Sequence, residues 1–292
     1  MSVLTYSESA ARCLLAVFAC FAAAVANAAT TAEADPDFVD DKWSLAVTLD
    51  HPRQRYFYFP PRTDFGLQKS GYALVVVLPG GRGDASSRPF YGALYLESMP
   101  VDFVMAQLVS VRWEPEQRIV WPTSRIKDVE PEFTSSEFIA AVIEDVRARV
   151  QVDPDRIYLM GASSSGGAVY TAALANADVS GAVVTASVFR EQHLPPLSGA
   201  AGKRFFLLQS PSDEITPFHY AQAAAEALST NGGTVLLYAL PGGHHPVWPT
   251  NLKGIYGYAF HWLQTQPNRE IQQSLEPSPL AFPQGVRRFK RR

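Results

Sequence analysis

The amino-acid sequence predicts an α/β fold, in which helices cover both faces of a mostly parallel central sheet. The first observation behind this prediction is Tyr72 to Leu78, a continuous apolar run typical of a strand that is buried on both faces. The second is a helix predicted at residues 136–150, where apolar side chains recur at steps of three and four. The third is the alternation of strands and helices from there onward, because such alternation implies right-handed crossovers between parallel strands.

Two short strands are predicted before the buried strand, at residues 43–49 and 56–59. The second ends at Pro60, and because proline in sheets is confined to edges we expect both strands to form an antiparallel edge. The buried strand itself stops at Pro79-Gly80-Gly81, a strong turn signal. The later elements are predicted, in order, as strand 103–111, helix 136–150, strand 157–160, helix 167–175, strand 181–188, strand 205–209, helix 220–228, strand 234–240 and helix 255–264.

Residues 1–28 are predicted to be a signal peptide that directs export and is then cleaved. Arg12 precedes the apolar run Cys13 to Ala26, and Ala26-Asn27-Ala28 supplies a small-residue cleavage site. The run is too short to span a bilayer comfortably, so we expect no stable membrane span after cleavage. Lipidation of Cys20 is the alternative, but Phe18 is bulkier than that signal normally has. The mature protein is therefore expected in a periplasm or outside the cell.

The remaining sequence is expected to form one domain and a tail. The chain has 292 residues, of which 47% are hydrophobic, and this composition provides for one sizeable core. No shift in composition marks a second domain, and the link after residue 188 is too short for a large lid, so residues 29–270 are assigned to a single domain. Residues 271–292 hold prolines and basic side chains and are expected to be a loose C-terminal tail.

Composition and charge exclude several classes of partner and cofactor. The formal net charge is −3 and nothing resembles a basic face, so no nucleic-acid partner is expected. Both cysteines, Cys13 and Cys20, lie in the signal peptide, which leaves the mature chain without a disulfide or a thiol nucleophile. The histidines at 51, 193, 219 and 261 lack the spacing of metal ligands, so neither a metal nor an organic cofactor is expected.

The motif that carries chemistry is Gly161-Ala162-Ser163-Ser164-Ser165-Gly166-Gly167, between a predicted strand and a predicted helix. A hydroxyl is a poor nucleophile and must be presented on a sharp turn, which small flanking residues allow. Counting from the strand places Ser163 on the turn, whereas counting back from the two glycines places Ser164 there. Ser163 is the preferred nucleophile, because strand length determines where the turn must fall, and Ser164 is the alternate.

The base and the acid are expected after two later strands. Gly242-Gly243 allow a tight loop that brings an imidazole over the nucleophile, so His244 is the predicted base and His245 the alternate. Asp213 follows the strand at 205–209 and is predicted to accept the imidazole N–H and fix its tautomer, with Glu214 as alternate. The oxyanion would be held by two backbone N–H groups, that of Ser164 after the nucleophile and that of Gly81 in the glycine turn.

The order of nucleophile, acid and histidine, each after a strand, resembles that of the α/β-hydrolase superfamily. Within it the sequence resembles secreted polyhydroxybutyrate depolymerases, feruloyl esterases and acetyl xylan esterases. The stretches that carry the resemblance span most of the mature chain and are residues 55–60, 78–81, 155–158 with the serine motif, 213–217 and 242–244.

This resemblance implies an α/β-hydrolase fold and a secreted serine esterase that cleaves small-molecule or polymer-linked esters through an acyl-enzyme. The sequence departs from the family at Pro79, where a histidine is common, at Ser165, where glycine is usual, and in the absence of the family's cysteines. Two alternatives remain: a serine peptidase of the prolyl oligopeptidase type, which normally has an added gating domain, and a non-catalytic binding protein on a hydrolase scaffold. Ser165 is the main support for the binding protein.

Overall fold

The computed structural model describes residues 35–62, 70–244, 252–265 and 286–288. The chain divides into two units, residues 1–38 and 39–292. The described part of the first unit is a turn, in which the Phe38 N–H donates to the Asp35 carbonyl at 2.9 Å. The predicted signal peptide, the alternate base His245 and most of the predicted C-terminal tail lie outside the described residues.

The second unit is built on one mixed, mostly parallel sheet. Eight strands and a short ninth lie in the order β1-β2-β4-β3-β5-β6-β7-β8-β9. The pairs from β4 through β3 to β8 are parallel, whereas β1, β2 and β9 each pair antiparallel with a neighbour. The strands are β1 Leu45–Thr48, β2 Arg55–Phe59, β3 Tyr72–Leu78, β4 Phe103–Val109, β5 Val152–Ala162, β6 Gly181–Thr185, β7 Arg204–Gln209, β8 Thr234–Ala239 and β9 Val286–Arg288.

This arrangement confirms the predicted α/β class and its antiparallel edge. The order also explains the buried run of β3, every residue of which is buried, because β3 lies between β4 and β5 near the middle of the sheet. β6 ends earlier than the sequence predicts, because Ala186 takes a left-handed conformation with φ 48°. β9 lies within the segment that the sequence assigns to the basic tail.

Five helices of the described chain cover the two faces of the sheet. Leu74, Val76 and Leu78 of β3 join one large hydrophobic cluster with α2, α3 and α4. The intervening Val75 and Val77 are equally buried and point to the opposite face, where α1 and α5 lie. The helices are α1 Arg88–Glu97, α2 Ser135–Arg149, α3 Gly166–Ala175, α4 His219–Thr230 and α5 Leu252–Gln264.

Local chemistry explains where two of these helices begin. In α2, the Thr134 side chain accepts from the Glu137 N–H and the Glu137 carboxylate accepts from the Thr134 N–H, so two unpaired amides are satisfied. Helix α1 has a proline in its first turn, where the missing N–H would have had no partner within the helix. No helix was predicted there from the sequence. Its weak signal is the spacing of the buried side chains Tyr91, Leu94 and Tyr95. Among the described helices, none is long and apolar enough to cross a membrane.

Candidate active site

The carboxyl ends of the parallel strands bring the predicted residues to one edge of the sheet. The glycine turn follows β3, Ser163 follows β5, Asp213 follows β7 and His244 follows β8. Because β3, β5, β6, β7 and β8 run in the same direction, these loops open on the same side of the molecule. The fold therefore places the glycine turn, Ser163, Asp213 and His244 at one edge of the sheet.

Ser163 occupies a sharp turn between β5 and α3. Its φ is 52°, a left-handed conformation that costs a non-glycine residue about 1–3 kcal/mol and is found at sites held by their surroundings. Gly161 and Gly166 on either side of this turn must be small because side-chain atoms lie close to them. A Cβ on Gly161 would lie 2.6 Å from Ser165 Oγ, and one on Gly166 would lie 2.2 Å from Ser187 Cβ. The Ser187 hydroxyl also donates to the Ser163 carbonyl at 3.0 Å.

The structure brings Ser163, His244 and Asp213 into one chain of hydrogen bonds. Ser163 Oγ lies 2.9 Å from His244 Nε2, and His244 Nδ1 lies 3.0 Å from Asp213 Oδ2. The Asp213 side chain is 0% exposed and that of His244 is 7% exposed, so the hydrogen bond between them is shielded from water. An ionised carboxylate only accepts hydrogen bonds, which places the imidazole proton on Nδ1 and leaves Nε2 free to accept from the serine hydroxyl.

Asp213 is held as an anion by its neighbours. Burial alone would raise the pKa of its carboxyl, but hydrogen bonds from the Thr216 side chain and backbone, from His244 and from the Ile215 N–H lower it below the ordinary value. The Thr216 hydroxyl donates to Asp213 Oδ2 at 2.7 Å, and Gln209 Nε2 donates to the same oxygen at 2.7 Å. The carboxylate therefore faces donors from several directions and has little freedom to turn.

Thr216 and Gln209 belong to this site, although the sequence analysis selected neither. Gln209 is the last residue of β7 and is 2% exposed. Thr216 lies three residues after Asp213, and its N–H donates to Asp213 Oδ1 at 2.8 Å. An aspartate that accepts from backbone N–H groups two and three residues onward is a common turn, so the sequence Asp213-x-x-Thr216 was the available signal. The Thr216 hydroxyl also lies 3.2 Å from His244 Nδ1.

The other two serines of the motif have different partners. The Ser164 hydroxyl donates to the Gly81 carbonyl at 2.9 Å rather than to the imidazole. Ser165 is 0% exposed; its hydroxyl accepts from the Ala162 N–H at 2.8 Å and donates to the Leu78 carbonyl at 2.7 Å. Ser163 is therefore the serine that faces His244, and Ser164, the alternate nucleophile, does not.

Glu214, the alternate acid, lies in a different environment from Asp213, the preferred acid. Glu214 is exposed, whereas the adjacent Asp213 is buried and faces the imidazole. The reversal of direction between neighbours follows from the turn that Asp213 closes, with its own N–H donating to the Ser210 carbonyl at 3.2 Å. Of the two carboxylates, Asp213 is the one placed to orient His244.

The glycine turn after β3 is fixed through its carbonyl groups. All five carbonyls from residue 79 to 83 accept hydrogen bonds, and four of the donors come from outside the turn. They are Trp121 Nε1 to Pro79 at 2.9 Å, the Gly83 N–H to Gly80 at 3.1 Å, the Ser164 hydroxyl to Gly81 at 2.9 Å, the Ser110 hydroxyl to Arg82 at 2.6 Å and the Ser110 N–H to Gly83 at 2.8 Å.

This anchoring leaves backbone donors beside the nucleophile. Within the part of the chain that the structure describes, no acceptor is found for the N–H groups of Gly81 and Arg82. Gly81 has φ 63°, and no atom lies within 4 Å of where its Cβ would be, so the turn is open on that side. The Ser164 N–H lies at the start of the turn that leads into α3, where amides have no partner within the helix. The hydrogen bond from the Ser164 hydroxyl to the Gly81 carbonyl holds these two predicted donor residues close to each other.

The surroundings of the site hold no metal cluster in the part that is described. Across residues 35–62, 70–244, 252–265 and 286–288, no group of three His, Cys, Asp or Glu side chains could hold a metal ion. The site contains a hydroxyl, an imidazole base and a buried carboxylate, each joined to the next by a hydrogen bond. Such a set can activate a hydroxyl for attack on an acyl carbon.

Comparisons with known proteins agree with the fold. No protein-family model matches the chain, and no curated protein sequence matches it. A truncated carbohydrate esterase from gut microbiota superposes with a TM-score of 0.55 at 14% identity, covering 79% of this chain and 99% of that one. An esterase from Rhizomucor miehei gives 0.54 at 13% identity, covering 79% and 85%. Acylaminoacyl peptidase from Pyrococcus horikoshii gives 0.57 at 12% identity, covering 80% and 44%.

At these identities the likeness shows the fold and not the substrate. The shared architecture is the mostly parallel sheet with helices on both faces described above. The chain has the α/β-hydrolase fold, with esterases and other serine hydrolases among its structural neighbours.

Proposed function

We propose that this protein is a serine hydrolase that cleaves carboxylic esters through an acyl-enzyme formed on Ser163. The observation that carries the proposal is the chain of hydrogen bonds from the Ser163 hydroxyl through His244 to Asp213. Such a chain needs three groups from distant parts of the sequence at hydrogen-bond distance, and here each is also shielded or held by further bonds. Esterases among the structural neighbours support ester substrates.

The proposed reaction has two halves. His244 Nε2 takes the Ser163 proton as Oγ attacks the ester carbonyl, and the resulting oxyanion is held by the N–H groups of Gly81 and Ser164. The imidazolium then gives its proton to the departing alcohol, which leaves the acyl group bonded to Ser163 Oγ. A water molecule, deprotonated by the same imidazole, attacks this ester, and the imidazolium returns the proton to Ser163 Oγ as the acid leaves. Asp213 stabilises the imidazolium throughout, and the chemistry requires no metal or organic cofactor.

The substrates and setting are part of the same proposal. The resemblance to secreted depolymerases and esterases suggests a small-molecule or polymer-linked ester. The apolar leader with its cleavage site suggests that the mature chain acts in a periplasm or outside the cell. An anchored glycine turn supports catalysis over a purely binding role, because oriented donors at a developing charge stabilise the transition state by about 3 kcal/mol each.

A fluorophosphonate probe tests the nucleophile directly, because it reacts only with an activated serine. We expect labelling of the wild-type protein and of Ser164→Ala, and none of Ser163→Ala, with all three proteins folded by circular dichroism. Labelling that survives in Ser163→Ala would overturn the assignment. A folded wild-type protein that is not labelled would favour the non-catalytic binding protein.

Substrate class is tested separately with p-nitrophenyl esters of increasing chain length and with peptide p-nitroanilides. The proposal expects ester hydrolysis to exceed amide hydrolysis in kcat/KM and to disappear in Ser163→Ala. Faster cleavage of the anilides than of the esters would favour a peptidase of the prolyl oligopeptidase type.

A further inference from the structure

A groove lies in the segment between β4 and α2 that the proposed reaction does not use. Its volume is about 410 Å³, within the range of about 300–1,000 Å³ typical of small-ligand sites. Most of its lining comes from residues 118–119 and 125–128, and His193 adds an imidazole from the segment after β6. The groove is therefore built from two stretches of chain that meet only in the folded protein.

This groove adjoins the proposed nucleophile. Ile126 lines the groove, and a Cβ on Gly167 would lie 3.2 Å from Ile126 Cδ1. Gly167 is in the first turn of α3, which begins three residues after Ser163. The groove therefore lies against the start of the helix that follows the proposed nucleophile.

Cationic side chains dominate the lining. The lining holds three cations, Arg118, Arg125 and Lys127, and one carboxylate, that of Asp128. The backbone N–H of Arg118 holds the pKa of Asp128 below its ordinary value, so Asp128 stays ionised, but its distance to Arg118 Nε is 3.8 Å. The Arg118 side chain is 89% exposed and free to move toward a ligand. Lys127 pairs with Glu130 at 2.6 Å.

Arg125 is exposed, is oriented by one hydrogen bond and has no carboxylate partner among the described residues. Its Nη1 donates to the Leu194 carbonyl at 2.9 Å, a neutral acceptor that orients the guanidinium without cancelling its charge. Among the residues that the structure describes, no carboxylate lies within ion-pair distance of Arg125. A guanidinium has five N–H donors in a planar fork, so donors remain for a carboxylate or a similar oxyanion.

We infer that the groove binds an anionic group of the ester substrate, with Arg125 as the principal contact and Arg118 as a mobile second one. The inference rests on the proposed function, since it assigns a substrate class to the same site. Arginine recognises planar oxyanions with paired hydrogen bonds, and a carboxylate about one helical turn from the ester would reach the groove while the carbonyl lies at Ser163. An anionic group on the acyl part of the substrate and one on the alcohol part are distinguished by experiment.

Two pairs of esters distinguish these parts. For the acyl side, the mono-p-nitrophenyl ester of glutaric acid is compared with the same ester whose free carboxylate is blocked as a methyl ester. For the alcohol side, 4-acetoxybenzoate is compared with its methyl ester. We expect the anionic member of one pair to be preferred by about tenfold in kcat/KM, equal to about 1.4 kcal/mol. Raising the ionic strength should reduce this preference.

The variants are Arg125→Gln and the exposed Arg118→Gln, with Arg147→Gln as matched control. Arg147 lies on α2 and pairs with Glu144 and Asp178, so its replacement makes the same change in net charge elsewhere. Arg125→Gln should remove most of the preference by lowering kcat/KM for the anionic esters far more than for the neutral ones, Arg118→Gln should weaken the preference, and Arg147→Gln should have no effect. Equal rates on both members of each pair would overturn the inference and leave the proposed function standing.

A second measurement does not depend on turnover. Calorimetry with Ser163→Ala should detect binding of monomethyl glutarate or of 4-acetoxybenzoate, and adding Arg118→Gln should weaken it. If no ester is hydrolysed but this binding is found, the proposed function fails and the anion site stands. If neither anion binds to Ser163→Ala and the wild-type protein shows no preference, the anion site fails.

Discussion

Replacing Asp213 with asparagine changes one atom at the most densely bonded point of the site. The carboxylate accepts the N–H groups of Ile215 and Thr216, the Thr216 hydroxyl, the Gln209 amide and, through Nδ1–H, the His244 ring. An asparagine has one acceptor oxygen and one NH₂ group. Its oxygen can keep the two backbone bonds, and its NH₂ group then points at the donors that Oδ2 had accepted.

Two consequences follow, and each has a magnitude. The NH₂ group forces His244 Nδ1 to become an acceptor, so the ring proton moves to Nε2, which can no longer accept from Ser163. The wrong tautomer lowers kcat by about 10⁴-fold in serine hydrolases of this type, equal to about 5.5 kcal/mol. The buried Gln209 amide also loses one of its acceptors and keeps the Thr216 carbonyl, and the loss should lower the free energy of unfolding by about 1–3 kcal/mol.

Steady-state hydrolysis of p-nitrophenyl acetate measures the first effect, and thermal unfolding followed by circular dichroism measures the second. Glu214→Gln is the matched control, because it makes the same chemical change at the exposed neighbouring carboxylate and should leave both quantities unchanged. A folded Asp213→Asn protein whose kcat stays within about tenfold of the wild-type value, far from the expected loss, would refute the role assigned to Asp213. So would an equal loss in Glu214→Gln.

Three further predictions concern neighbouring residues. Ser165→Ala removes the hydroxyl bonds to the Leu78 carbonyl and the Ala162 N–H and should lower the free energy of unfolding by about 1–3 kcal/mol, measured by urea denaturation. Thr216→Val should lower it by about 2 kcal/mol at neutral pH. Because folding lowers the pKa of Asp213, its hydrogen bonds stabilise the protein fully when the pH is above the ordinary pKa of 3.8. The difference in free energy of unfolding between Thr216→Val and wild type should therefore shrink as the pH falls below 3.8. Gly81→Ala meets no steric clash but strains the backbone, so kcat/KM should fall while stability changes by only about 1 kcal/mol.

The sequence predicted the sheet and the candidate triad because both depend on local signals. A continuous apolar run indicates a strand buried on both faces, and Tyr72–Leu78 is found as predicted. Glycines beside Ser163 and His244 indicated sharp turns, and the strand-end positions of the three residues then determined which edge they share. Helix α1 was missed because its buried face is narrow and a proline and a glycine interrupt its pattern.

The sequence did not predict the contacts between distant segments of the chain. Nothing in the sequence near Gln209 indicates that its amide faces the Asp213 carboxylate, because that depends on the path of the loop after β7. The anchoring of the glycine turn by Trp121 and Ser110 likewise joins residues from separate parts of the chain. Hydrogen bonds of this kind follow from tertiary packing and leave no periodic pattern in the sequence.

The departure from the family pattern at Ser165 has a physical account in these contacts. The Ser165 hydroxyl joins the Leu78 carbonyl, just before the glycine turn, to the Ala162 N–H, just before the nucleophile. Gly161 provides the space for this hydroxyl, since a Cβ there would lie 2.6 Å from Ser165 Oγ. A glycine at 165 would leave that space empty and remove both of these hydrogen bonds.

The three consecutive serines therefore make different contacts in the turn. Ser163 faces the imidazole, the Ser164 hydroxyl holds the Gly81 carbonyl, and Ser165 ties β3 to β5. Since the first lies in a strained conformation, the other two supply the bonds that keep it and the glycine turn in register with each other. The serine at 165 thus contributes hydrogen bonds that hold the candidate site, as Ser164 does.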